Sequence, residues 1–175
     1  MRWLWLAILG YACLALETAA FRPGGLAFPV DGHWTRPDLV LILGLLLALY
    51  LEPRDTFLAA WCLGMGSDLV SIAGRLGLYA IILTALLVTI GAARHRVGRT
   101  SALAQVGLCF AATVAAHLVW YVAARALEGA PPAFLRSVEE SVLDAAYTAV
   151  LAPYVFWLVL RLRGPLGLGS ERFQD

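Results

Sequence analysis

Residues 56–82 read TFLAAWCLGMGSDLVSIAGRLGLYAII, a run of apolar and small residues interrupted by one carboxylate, Asp68. Gly64 stands four residues before it and Ser71 three after it. At 3.6 residues per turn these three lie near one face of a helix, leaving Phe57, Leu58, Leu63 and Leu69 to meet lipid or neighbouring helices. A lone ionisable group at the bilayer centre costs ~2.5–3.5 kcal/mol on translocon scales. Asp68 therefore needs a partner for its charge, a wet cavity or a task, and the remaining helices must build that environment.

Composition agrees with a membrane setting. Of 175 residues, 61% are hydrophobic and 14% charged, with a mean hydropathy of +0.79, whereas soluble domains are about 25% charged. The apolar residues gather into six segments, at about 3–21, 36–51, 56–73, 76–93, 101–124 and 142–160. This pattern predicts an all-α polytopic membrane protein, with six transmembrane helices in a compact bundle and one domain over 1–175. A net charge of +1 gives no reason to expect nucleic acid. Cys13, Cys62 and Cys109 each fall in an apolar run and read as packing thiols, so no metal, disulfide framework or cofactor is expected.

The segments have recognisable borders. Trp3 and Trp5 suit an interfacial anchor for the first, and Arg22–Thr35 is rich in Pro and Gly and reads as a loop. Pro37 suits the first turn of the second helix, which stops at Glu52-Pro53-Arg54. The third turns through Gly74-Arg75 and the fourth ends in Arg94-His95-Arg96. Pro131 and Pro132 follow the fifth, and Pro153 is expected to kink the sixth. Small residues recur four apart at Gly44/Ala48, Ala60/Gly64, Gly107/Ala111/Ala115 and Ala145/Ala149, a spacing that lets membrane helices approach closely. With the N-terminus inside, eight arginines fall on the cytoplasmic side and five outside. Both termini are thus expected in the cytoplasm. A cleaved signal peptide also fits Met1-Arg2 and Thr18-Ala19-Ala20, but Trp3, Trp5 and Glu17 favour an anchored helix.

Depth along each segment places the polar groups. Asp68 lies ~18 Å from the inner end of its helix and His117 ~24 Å along the fifth. Glu17, Asp38 and Asp144 fall near outer helix ends, and Arg36, Arg75 and Arg125 border the same side. This asymmetry predicts an outward-facing polar vestibule over a dry inner half. Each group also has a plainer reading. Glu17 and Asp144 can snorkel to the interface, Asp38 can serve the N-terminal dipole of its helix, and His117 can be a hydrogen-bonded packing residue. Asp68 keeps two readings, a structural pair with Arg75 or a contact for a lipid or partner.

Several elements together resemble the rod shape-determining protein MreD family: Arg36-Pro37-Asp38 opening an apolar helix, the turn at Pro53, Asp68-Leu69-Val70-Ser71 followed by Leu76-Gly77, and a last helix with Pro153, Phe156 and Arg161-Leu162-Arg163. The resemblance covers Arg36–Ile82 best. It implies a non-catalytic scaffold of the elongation complex that directs peptidoglycan synthesis and cell shape. The partners it implies are a bitopic MreC-like protein, RodA with a class B penicillin-binding transpeptidase, and MreB filaments. It also implies a fold similar to the S components of energy-coupling-factor transporters. A substrate-binding S component with an outward-facing pocket is the alternative function.

An intramembrane enzyme is disfavoured. Gly64-Met65-Gly66-Ser67-Asp68 is near the Gly-x-Gly-Asp element of aspartyl intramembrane proteases, but the intervening serine turns Asp68 ~100° away from that position. No H-E-x-x-H or Gly-x-Ser-Gly is present. The residues expected to contact a pocket or partner are Asp68, Gly64, Ser71, Arg75, Asp144, Glu17 and His117.

Overall fold

In the computed structural model, residues 2–19, 26–30, 33–70, 77–93, 102–128 and 134–161 are described. They form six helices, α1 (Arg2–Ala19), α2 (Leu39–Tyr50), α3 (Pro53–Val70), α4 (Leu78–Ala92), α5 (Ala102–Glu128) and α6 (Phe134–Arg161). A short antiparallel ribbon, β1 (Phe28–Val30) with β2 (His33–Thr35), lies between α1 and α2.

The helices are arranged around α2. Every residue from Leu39 to Leu49 is buried, and α1, α3, α4, α5 and α6 all pack against this helix. Its 12 residues extend only ~18 Å, well short of a hydrocarbon core of ~30 Å. Its neighbours enclose it along its whole length, so it is an internal helix of the bundle. Its apolar surface all round is the sequence signature of such a position.

α3 and α4 form an antiparallel pair in which the backbones touch. A Cβ at Gly64 would overlap the Cα of Ala80, so no side chain fits there. Ala60, Ala145 and Ala149, from the small-residue rows, are likewise buried. The row on α5 differs: Gly107 and Ala111 are exposed, and a Cβ at Gly107 would meet nothing within 4 Å. α5 and α6 pair with each other and have 27 and 28 residues. Among the described residues they are the two helices long and apolar enough to cross a membrane, while α1, α2 and α4 are shorter apolar helices. Only 28% of the α5 span is buried within the protein.

Several expected borders move. The Arg22–Thr35 stretch, expected as loop, contains the ribbon. Its register pairs Phe28 with Thr35, Pro29 with Trp34 and Val30 with His33. In an antiparallel pair, hydrogen-bonded and non-hydrogen-bonded residue pairs alternate, and with two residues between the strands Val30–His33 is expected to be a bonded pair and Pro29–Trp34 a non-bonded one. A missing N–H at a non-bonded position removes no ladder bond. Phe28 packs edge-on against Tyr147 of α6, with ring centroids 5.6 Å apart, and Trp34, on the opposite face, is exposed.

α6 begins at Phe134 rather than near 142, because its first turns are polar and helical at once. Pro153 lies inside α6 without ending it. α3 begins at Pro53, whose fixed φ suits a first helical position. α2 begins after Asp38, so Pro37 precedes the cap instead of sitting in the first turn.

Candidate functional site

The buried carboxylates are used at helix N-termini. Asp68, 7% exposed near the end of α3, accepts hydrogen bonds from the main-chain N–H groups that open α4. Its Oδ2 takes those of Gly77 and Ala80, both at 3.0 Å, and its Oδ1 that of Tyr79 at 3.3 Å. The first turn of a helix leaves N–H groups without intrahelical partners and carries a partial positive charge, so a carboxylate from a neighbouring helix satisfies both needs. Gly77 adopts a left-handed φ of 93° at this N-cap, a conformation that glycine reaches at no steric cost.

A second, larger group surrounds the start of α2. Asp38 is its N-cap, with Oδ1 accepting from the N–H of Leu41 at 2.8 Å. Glu17 of α1 accepts from the N–H of Val40 at 2.8 Å. Asp144 of α6 accepts from the N–H of Arg36 at 3.1 Å. One turn on, the Thr148 hydroxyl accepts from the N–H of Asp38 at 3.1 Å and donates to the carbonyl of Asp144 at 2.7 Å. The charge of Arg36 is close enough to act on both Glu17 and Tyr79.

Tyr79 joins the two groups, because its hydroxyl donates to Asp38 Oδ2 while its own N–H donates to Asp68. The network thus runs from α3 through α4 to α2 and takes in α1 and α6. It occupies one end of the bundle, where α1 and α3 finish and α2 and α4 begin.

The opposite end has a different chemistry. Trp3 and Trp5 at the start of α1 are exposed, as is Arg54 at the start of α3. At the end of α6 the Arg161 guanidinium lies 5.3 Å from the ring centroid of the exposed Trp157. From Arg54 to Asp68 the rise along α3 is ~21 Å. The expected site residues divide accordingly. Glu17, Asp38, Asp68 and Asp144 meet in the network, and Gly64 supports it by bringing α3 against α4. His117 is half-buried on α5 and makes no hydrogen bond to this network among the described residues. Leu69 is 70% exposed. Ser71, Arg75 and Leu76, and with them the expected pairing of Asp68 with Arg75, lie outside the described residues.

Tyr79 and Thr148 were not singled out from the sequence. Thr148 stands four residues after Asp144, on the same helix face, which was a usable signal. Tyr79 had none, since its partner is 41 residues away. Among the described residues, no three His, Cys, Asp or Glu side chains are grouped as a metal site requires. Two apolar surface grooves lie apart from the network: one lined by Pro53, Arg54, Phe57, Leu58 and Val88, the other by Leu118, Val119, Val122, Ala123 and Ala126. No family model, curated protein or solved structure matches the chain.

Proposed function

We propose that the chain is a multi-pass, non-catalytic scaffold of the MreD type in a bacterial inner membrane, with six spans and both termini in the cytoplasm. In that role it would hold an MreC-like bitopic protein and the RodA–transpeptidase pair in the membrane plane, in register with MreB filaments inside. The motif resemblance supplies the identity of these partners.

The observation that carries the scaffold reading is the use made of the carboxylates. Asp68 and Asp144 serve different helix starts, each through main-chain amides, and a shared-proton dyad requires its two carboxylates side by side. Placement in a bilayer is supported by exposed apolar surface. Leu103, Val119 and Val122 on α5, Ile8 and Tyr11 on α1, and Val150 and Tyr154 on α6 are each at least half exposed, which is unfavourable in water and natural against acyl chains. The Trp and Arg residues at one end and the carboxylate network at the other fit the two interfacial levels of a membrane. The denser arginine content of the loops assigned to the Trp–Arg end supports an inside position for that end.

Affinity capture of the full chain from bacterial membranes in mild detergent tests the role. An MreC-like bitopic protein recovered with the wild type and reduced with Asp68→Leu is the expected result. Recovery of a bound vitamin and an ATPase pair instead would replace the scaffold with an S component.

A further inference from the structure

We propose that the groove on the outer face of α3 and α4 holds an anionic phospholipid, with an acyl chain along Phe57, Leu58 and Val88 and the phosphate on Arg54; this rests on the membrane reading above. The groove, about 420 Å³, is lined by Pro53, Arg54, Phe57, Leu58 and Val88. Among the described residues, its only charged lining residue, Arg54, stands at one end. Arg54, Phe57, Leu58 and Trp61 recur at helical spacing on one face of α3, opposite the buried Thr56, Ala59, Ala60 and Leu63. That face therefore presents a cation followed by two turns of apolar surface, the order in which a phospholipid presents its phosphate and its chain.

Charge availability points the same way. Arg54 is exposed and has no ion-pair or hydrogen-bond partner among the described residues, whereas the adjacent carboxylates Glu52 and Asp55 both have interactions of their own. Phe57 is 50% and Leu58 51% exposed, so the groove is open to the acyl region. Its charged end lies at the level of Trp3, Trp5, Trp157 and Arg161, where headgroups would be found. A basic side chain at the cytoplasmic surface gains from the anionic lipids of that leaflet.

Native mass spectrometry of the full chain, extracted from membranes and exchanged into phosphatidylglycerol or phosphatidylcholine, tests this. The wild type should retain phosphatidylglycerol preferentially. Arg54→Gln should lower that retention about fivefold, the effect of one basic side chain near an anionic surface. Val88→Trp, which keeps the charge and fills the groove, should lower it as well. Arg136→Gln, at the other end of the bundle, should leave it unchanged, and added inorganic phosphate should not displace the lipid. Equal retention of the two lipids, insensitivity to both groove variants, an equal loss with Arg136→Gln, or displacement by inorganic phosphate would overturn the proposal. Failure of the membrane reading would look different, because the chain would then be recovered without detergent.

Discussion

Asp68 shows how main-chain amides of a neighbouring helix help accommodate a carboxylate within an apolar helix. Its oxygens receive three main-chain N–H groups, so removing the carboxylate leaves the opening of α4 with unpaired donors. Each buried unsatisfied group costs about 1–3 kcal/mol. Asp68→Leu is therefore expected to insert normally and to unfold at lower temperature in detergent, with the loss spread over more than one bond. A melting temperature equal to wild type would show that the amides find other partners. Asp68→Asn keeps an acceptor oxygen and should lie between the two. Tyr79→Phe offers a finer test, since it deletes one hydrogen bond while Asp38 still caps α2 through Leu41. Its expected cost of about 1 kcal/mol should be smaller than that of Asp38→Ala, which removes the N-cap as well. The reverse order, read by the same thermal scan, would mean that the tyrosine link and not the cap holds this end together.

At the level of elements, the glycines divide into those the packing uses and those it leaves open. Gly64 faces the backbone of Ala80 at a distance no Cβ can share, and backbone cannot move aside as a flexible side chain can. Gly64→Ala should push α3 from α4 and destabilise the bundle by about 1–3 kcal/mol, the usual cost of overpacking. Gly107→Ala meets open space and should be neutral or stabilising by up to about 1 kcal/mol, since alanine is the better helix former. Equal effects of the two in a thermal unfolding series would contradict the close approach. The same division explains what was legible beforehand. Hydropathy marked all six helices because each carries a long apolar run, and the four-residue rows marked Gly64 and Ala149 as contact residues. It could not tell an internal contact row from an open one, because Gly107 and Gly64 look alike until neighbours are present. The polar opening of α6, Arg136 to Glu140, was missed because apolar content, not helix formation, ends at residue 142. The ribbon was missed although Asp31-Gly32 is a strong hairpin signal between Val30 and His33. Three-residue strands show too little alternation, and Pro29 reads as a breaker until its edge position is known. Depth along the helices brought the carboxylates to one end, but main-chain amides of a neighbouring helix carry no residue code, so their use as caps was invisible.

For the whole molecule, the polarity of the bundle makes the topology testable with thiols. The native cysteines provide a background that should be silent: Cys13 and Cys109 are buried, and Cys62, though exposed, lies two turns along α3 from Arg54 and faces acyl chains in the proposed orientation. None should react with a charged, membrane-impermeant maleimide in intact cells or in opened membranes. Against that background, a cysteine replacing the exposed Trp34 on the outward face of the ribbon should react from outside intact cells. One replacing the exposed Glu52, between α2 and α3, should react only after the cytoplasmic face is opened. These two positions belong to opposite ends of the same helix, because Trp34 leads into the capped start of α2 and Glu52 follows its end. Inverted labelling would keep the bundle and reverse its orientation, moving the carboxylate network to the cytoplasmic side and taking the scaffold's assumed partners with it. Labelling of both positions from one side would contradict the antiparallel order of α1, α2 and α3. Labelling of Cys62 in intact membranes would place the outer face of α3 in water, and with it the groove beside Arg54.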